Sequence, residues 1–334
     1  MRRHPLMRIL NAQTVALAGV LLLNWFLFPG FFDIAWQDGR FFGSLIDVLN
    51  RGAPVAILAV GMTVVIATKG VDLSVGAVMA VAGAVAATMV VDGYSAFTAI
   101  VVALAVGTLC GVWNGLLVAL LDIQPIIATL VLMVAGRGLA QLITEGSIVT
   151  FSDPHLIFMG TGSFLGFPMA AVIALVLMIA VTLAVRRTAI GLFIEAVGIN
   201  RSAATFAGIR SRMLLISVYA LSGFCAAVAG IIVAADIRGA DANNSGLWLE
   251  LDAILAVVIG GTSLLGGRFS IPMAVIGAII IQAMNTGILV SGFPPEFNLI
   301  VKAGVIILIL VLQSPIAQQL LIFSRRNAGK RSTP

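Results

Sequence analysis

The sequence predicts an all-α fold: a polytopic membrane protein of about ten transmembrane helices, one domain over residues 1–334, with both termini cytoplasmic. Three observations predict it. First, 60% of the 334 residues are hydrophobic and 10% charged, against roughly 45–50% and 25% in soluble globular chains. That is about 200 apolar residues, enough for roughly ten crossings at ~20 residues each. Second, those residues fall into long runs. Third, the basic residues segregate to one side of the runs. A soluble domain, a disordered chain and a nucleic-acid-binding domain are excluded. The two cysteines, Cys110 and Cys225, lie far apart in apolar runs and give neither a disulfide framework nor a metal site.

The first element is the apolar stretch 9–28, which follows a basic start, Arg2-Arg3-His4. It is long, and Asn24-Trp25-Phe26 does not resemble a small-residue cleavage site, so it reads as a retained helix. Further runs lie at 53–68, 73–91, 97–121, 125–143, 168–185, 213–235, 251–265, 271–290 and 297–323. Gly70 reads as a left-handed C-cap and Asp72 as the N-cap of the helix after it. Pro125, Pro168 and Pro272 suit first turns. The run 251–265 is short and ends in glycines, as a broken or tilted span would. Strand-like alternation is absent from the sequence, which excludes a β-barrel.

Charge sets the orientation. Of the 19 Lys and Arg, only Arg40, Arg51 and Arg238 fall outside when the termini are placed in the cytoplasm. Arg137 and Lys302 lie within runs, and the remainder are inside, as the positive-inside rule requires. Segments 30–52, 144–167 and 236–250 then become periplasmic loops. The first is rich in aromatics, which suit a bilayer interface.

The one large inside loop, 186–212, is too apolar and too rich in small residues for a solvated connector. Gly191, Gly198 and Gly208 recur through it. A short helix with a small-residue face would dock into a groove on a partner protein; the alternative is an amphipathic loop lying on the membrane.

At this loop the chain resembles a family. Thr188, Gly191, Glu195-Ala196-Val197-Gly198-Ile199-Asn200, Ala203-Ala204 and Gly208-Ile209 are similar to the ATPase-coupling loop of sugar-importing ABC permeases of the ribose type. Three further segments match in order: Gly70-Val71-Asp72-Leu73-Ser74-Val75-Gly76, Gln124-Pro125 through Thr129-Leu130 with Arg137-Gly138, and Gly260-Gly261-Thr262 through Gly266-Gly267-Arg268. Within the family, the stretch from Ala234 through Asn243-Asn244 to Leu249 is most similar to galactofuranose-importing members. Lys69 departs from the pattern, which usually has a glycine there.

The resemblance implies a permease subunit in the cell inner membrane that forms half of a passage with a second, identical or homologous permease. It implies an ABC ATPase subunit beneath, a periplasmic sugar-binding protein above, and a monosaccharide as cargo, galactofuranose or another such as ribose. It assigns ATPase coupling to Thr188, Gly191, Glu195, Ala196, Gly198, Asn200, Ala203, Ala204 and Gly208. The chain has no phosphate-binding Gly-x-x-x-x-Gly-Lys-Ser/Thr loop. No cofactor is therefore expected in it, and ATP with Mg belongs to the partner.

Intramembrane polar residues normally face a bundle interior or cavity. Thr63, Asn114, Thr129, Gln282 and Asn285 are the candidates for the passage, with Arg137 and Gln141 also within runs. Asn114, flanked by Trp113 and Gly115, combines stacking and hydrogen-bonding capacity. The alternative for each is an interhelical hydrogen bond of about 0.6 kcal/mol. Arg137 lies roughly 18 Å along its helix from Pro125. It reads as a structural residue, paired with an outer carboxylate such as Glu145, over snorkelling or lining the passage. Asp72 reads as a cap, not a sugar ligand, and Lys302 as snorkelling outward. An ion-coupled secondary transporter would place carboxylates deep in its spans, and an integral-membrane enzyme would place His or paired carboxylates there. The spans hold neither.

Overall fold

The computed structural model describes residues 12–27, 30–37, 39–290, 299–301 and 303–304. The chain divides into two units, residues 1–286 and 287–334. In the second, the described residues are helical. Lys302, the basic N-terminal residues and nearly all of the run 297–323 lie outside the described residues.

Helix α1 (Ala12–Leu27) precedes a small hairpin, β1 (Ala35–Gln37) and β2 (Arg40–Phe42). Helix α2 spans Ser44–Ala67. It starts earlier than its apolar run, so residues 44–52 are helix and the segment expected as a loop is shortened to 30–43. Asp47 lies in its first turn, where a carboxylate faces the positive end of the helix dipole. Polar residues interrupt the hydrophobic pattern there without interrupting the helix.

The C-terminus of α2 corrects a second expectation. The left-handed residue is Lys69, with φ 64°, and not Gly70. Lys69 N donates to Ile66 O at 2.9 Å and Gly70 N to Val65 O at 3.1 Å, the paired bonds of a Schellman turn. Gly70 is required for a different reason: a Cβ on it would collide with the Tyr219 hydroxyl.

Helix α3 (Val75–Val91) begins after Ser74, whose side chain does not cap it. Asp72 is turned into the interior instead of capping. Helices α4 (Ala96–Ala119) and α5 (Pro125–Ile143) follow, the latter with Pro125 in its first turn. Segment 144–167 is more than a loop. It holds β3 (Val149–Thr150), α6 (Pro154–Thr161), β4 (Ser163–Phe164) and the start of β5 (Phe167–Pro168). Asp153 caps α6 by accepting from the backbone of His155 and Leu156, each at 2.9 Å. Helix α7 (Met169–Arg187) starts just after Pro168, which is extended. Then come α8 (Ile190–Ile199), α9 (Arg201–Phe206), α10 (Ser211–Ile237), β6 (Gly239–Ala240), α11 (Leu249–Ile259) and α12 (Ile271–Val290). Strands β3 and β6 pair and tie the 144–167 and 236–250 segments together.

Six helices, α2, α4, α5, α7, α10 and α12, are long and apolar enough to cross a bilayer. With α1, α3 and the short α11, they coincide with nine of the predicted runs. The chain is a multi-pass membrane protein. Helix α10 is central and packs against α2, α3, α4 and α6. Its closest approach is to α4, where Gly107, Gly111 and Gly115 recur every fourth residue on the contact face. A Cβ on Gly111 would overlap the Tyr219 carbonyl, and one on Gly223 the Gly107 carbonyl. Packing between helices in lipid relies on such small residues. Large apolar side chains such as Leu109, Trp113, Val134, Leu142 and Val176 point outward. That is the pattern of helices whose outer solvent is hydrocarbon.

Candidate functional site

The segment between α7 and α10 folds as a helical pair. Thr188 is extended and ends α7, its hydroxyl donating to Ala184 O in the last turn. Asn200 ends α8 and caps α9, its Oδ1 accepting from Ala203 N at 3.0 Å. Gly208 takes φ 91° and closes α9, with Gly208 N on Thr205 O and Ile209 N on Ala204 O, each at 3.0 Å. Ala204 is buried with Val197, Leu215 and Ala119. Thus Thr188, Asn200, Ala203, Ala204 and Gly208 build the pair. Ala196 is half-buried, and Glu195 lies 4.0 Å from Arg186.

The outward face is not the small-residue face expected from the sequence. Gly191 and Gly198 turn inward: a Cβ on Gly191 would overlap the Val185 carbonyl and one on Gly198 the Ala67 carbonyl. Glycine serves internal packing, because only it lets α8 lie directly on the end of α2. The outward face carries Ile190, Leu192, Phe193 and Ile199 from α8, with Phe206 from α9 at 93% exposure.

Three of the sequence segments converge here. Gly267 N donates to Ala67 O at 2.9 Å. Lys69 Nζ donates to Ile199 O at 2.9 Å. Arg186 reaches Phe269 O at 2.7 Å, its guanidinium over the Phe269 ring. Arg201 bridges Asp122 at 2.8 Å and Ala119 O at 3.0 Å, holding α9 to the end of α4.

A buried polar cluster lies just past Lys69. Asp72 Oδ1 accepts from Ser74 Oγ at 2.6 Å and Ser74 N at 3.1 Å, and its Oδ2 from Ser222 Oγ at 2.7 Å. Asn114 Nδ2 donates to Ser74 Oγ at 2.8 Å. Leu73 N donates to Thr129 Oγ1 at 3.2 Å. One turn therefore meets α3, α4, α5 and α10. The Tyr219 hydroxyl and Asn114 Oδ1 are buried without a hydrogen-bond partner. Ser74 enters the sequence reading only as part of the 70–76 segment, and Ser222 and Tyr219 carry no signal there beyond a tyrosine amid an apolar helix.

The passage candidates separate. Thr63, Asn114 and Thr129 are fully buried, and both threonines bond backbone carbonyls of their own helices. In this conformation none of the three faces an open passage. Trp113 is exposed while Asn114 is enclosed, since neighbouring helical residues point about 100° apart; the two do not form one sugar-binding surface. On α12, Gln282 is buried and bonds Thr286 at 3.4 Å. Asn285 Nδ2 makes a long 3.5 Å bond to Gln282 Oε1, and its own Oδ1 has no partner.

Arg137 bonds the backbone instead of a carboxylate. Its Nη1 donates to Ala242 O at 3.0 Å and Ser245 O at 2.6 Å. Gln141 Nε2 donates to Asn243 Oδ1 at 2.8 Å. Helix α5 thereby holds the 236–250 segment. A carboxylate partner was expected because charge pairs with charge, but folded-back carbonyls offer acceptors without a sequence signature. The Asn244 amide, with the backbone N–H groups of 243 and 244, holds the Asp241 carboxyl below the usual range.

A bundle of long apolar helices, carrying a short helical pair with an exposed apolar face, defines an integral membrane protein. Residues 44–310 match the family described as the permease component of branched-chain amino acid transport systems. The chain is 62% identical over 302 residues to the galactofuranose transporter permease protein YtfT of Escherichia coli (strain K12), covering 90% of this chain and 89% of that one. It is 45% identical to the fructose import permease protein FruF of Bifidobacterium longum (strain NCC 2705), over 85% of this chain and 82% of that relative. To the ribose import permease protein RbsC of Escherichia coli (strain K12) it is 38% identical, over 90% and 92%. No solved structure matches the chain. The chain belongs to this permease family, as a ribose-type permease subunit of a sugar ABC importer.

Proposed function

We propose that this permease imports galactofuranose, forming half of the passage with a second permease subunit in the cell inner membrane. The observation that carries the sugar assignment is the 62% identity to the galactofuranose permease, against 45% and 38% to those for fructose and ribose. The chain crosses the membrane ten times with cytoplasmic termini, a reading supported by the charge segregation and by the nine helices that coincide with predicted runs. An ATPase subunit, holding ATP and Mg, docks on the apolar face of α8 and α9. A sugar-binding protein delivers cargo at the opposite side, where α5 holds the 236–250 segment. The α12 amides Gln282 and Asn285 line the passage once it opens, a reading supported by the half-buried Asn285, whose Oδ1 acceptor is unpaired in this closed arrangement.

The test is co-purification of the importer, followed by ATP hydrolysis in liposomes with galactofuranose, galactopyranose, ribose and fructose. Stimulation by galactofuranose above the others is expected. Preferential stimulation by ribose or fructose reassigns the sugar, and absence of a co-purifying ATPase overturns the importer architecture.

A further inference from the structure

Lys69 stands where a left-handed backbone is needed and where glycine would meet no steric penalty. A side chain kept at such a position points to a use for it. Its stem runs beside Gly266, where any Cβ would strike Lys69 Cγ. Its ammonium ends on Ile199 O, at the C-terminus of α8, where a cation is favoured by the helix dipole. Gly198, one residue earlier, lies against the Ala67 carbonyl, which also accepts from Gly267. Lys69 thus joins α8, the end of α2 and the 260–268 loop at one point.

On its other side the same turn continues through Gly70, packed on Tyr219, to Asp72. Asp72 and Ser74 bond Ser222 of α10 and Asn114 of α4. From Lys69 to Ser74 the backbone is short and held at both ends. Beside the packing of Val197 and Ala204 on Ala119 and Leu215, this turn gives a displacement of α8 a second, hydrogen-bonded route, from Ile199 through Lys69 to the buried cluster between α4 and α10.

We propose that Lys69 is a positioning residue that couples α8 to the Asp72 turn, so that movement of α8 by the ATPase is passed to α4 and α10. The proposal rests on the importer function above. The experiment compares Lys69→Met, Lys69→Gly and Lys69→Arg in the complete importer in liposomes, reading sugar carried per ATP hydrolysed together with the detergent melting temperature. Lys69→Met keeps the stem and removes the donor. Lys69→Gly also relieves the left-handed backbone, so it should melt at or above the wild-type temperature.

Both should carry about fivefold less sugar per ATP, the lower edge of typical coupling between sites. Lys69→Arg should restore most of it. Wild-type stoichiometry in both Lys69→Met and Lys69→Gly overturns the proposal. A fall in stoichiometry that tracks a fall in melting temperature across the three variants also overturns it, in favour of a purely structural role. Failure of the wild-type complex to hydrolyse ATP in response to any sugar refutes the importer function itself and is read separately from either result.

Discussion

Ser222 donates a 2.7 Å hydrogen bond to Asp72, 150 residues away in the chain. The bond fastens the central helix α10 to the turn between α2 and α3, in a region where both residues are almost wholly buried. A buried acceptor is costly to lose, because its donors cannot turn to water. Asp72→Ala leaves Ser74 and Ser222 without their acceptor. It should destabilise the permease by about 1–3 kcal/mol, read as a lower melting temperature in detergent. Asp72→Asn should lose less, because the serine hydroxyls can rotate to accept from the new amide. An Asp72→Ala variant melting at the wild-type temperature would remove the cluster's structural role.

Orientation is tested by thiol labelling in a background lacking Cys110 and Cys225. Leu192→Cys and Asn243→Cys place reporters on exposed residues at the two proposed faces. An impermeant reagent added to intact cells should label 243 and reach 192 only after permeabilisation. The reverse pattern would invert the topology. Position 198, in the same loop, is unsuitable because Gly198 packs on Ala67.

Coupling and packing separate on α8. Leu192→Asp and Phe206→Asp change only outward side chains, so membrane abundance should stay near normal while transport and ATPase co-purification fall. Gly198→Trp should instead lower abundance, since the indole has no space beside the Ala67 carbonyl. Normal transport in both Asp variants would show that the exposed apolar face is not the docking face.

Much of the bundle was legible from apolar runs and proline positions, because span length is dictated by the bilayer and leaves a direct trace in composition. Element ends were less legible. The start of α2 was hidden by Asp47, Asn50 and Arg51, polar residues that a helix tolerates at a membrane edge. The capped helix α6 lay within what read as a loop, although Asp153-Pro154 is a start signal. The site was legible only as segments. Their convergence at Lys69, Gly198 and Gly267 depends on contacts between residues far apart in sequence. The direction of the glycine face depends on which neighbour α8 meets. Arg137 read as a structural residue paired with an outer carboxylate; its partners are the Ala242 and Ser245 carbonyls, and backbone carries no residue-specific signal.

Arg137 and Asn285 should fail in opposite ways. Arg137 supplies two charge-assisted donor contacts to Ala242 O and Ser245 O, and with Gln141 it holds the 236–250 segment to α5. Removing hydrogen bonds to a charged group typically costs about 1.5–3 kcal/mol. Arg137→Ala should therefore lower the melting temperature and membrane abundance, and make the 236–250 segment easier to cut with protease. Asn285 makes only a long bond to Gln282 and leaves its Oδ1 free. Asn→Ala raises helix propensity, and a side-chain hydrogen bond in the membrane averages only about 0.6 kcal/mol. Asn285→Ala should melt near the wild-type temperature while sugar uptake falls. Melting temperature and uptake measured in parallel decide the matter. Lost uptake at normal stability for Arg137→Ala, with normal uptake for Asn285→Ala, would move the passage from α12 to the inner face of α5.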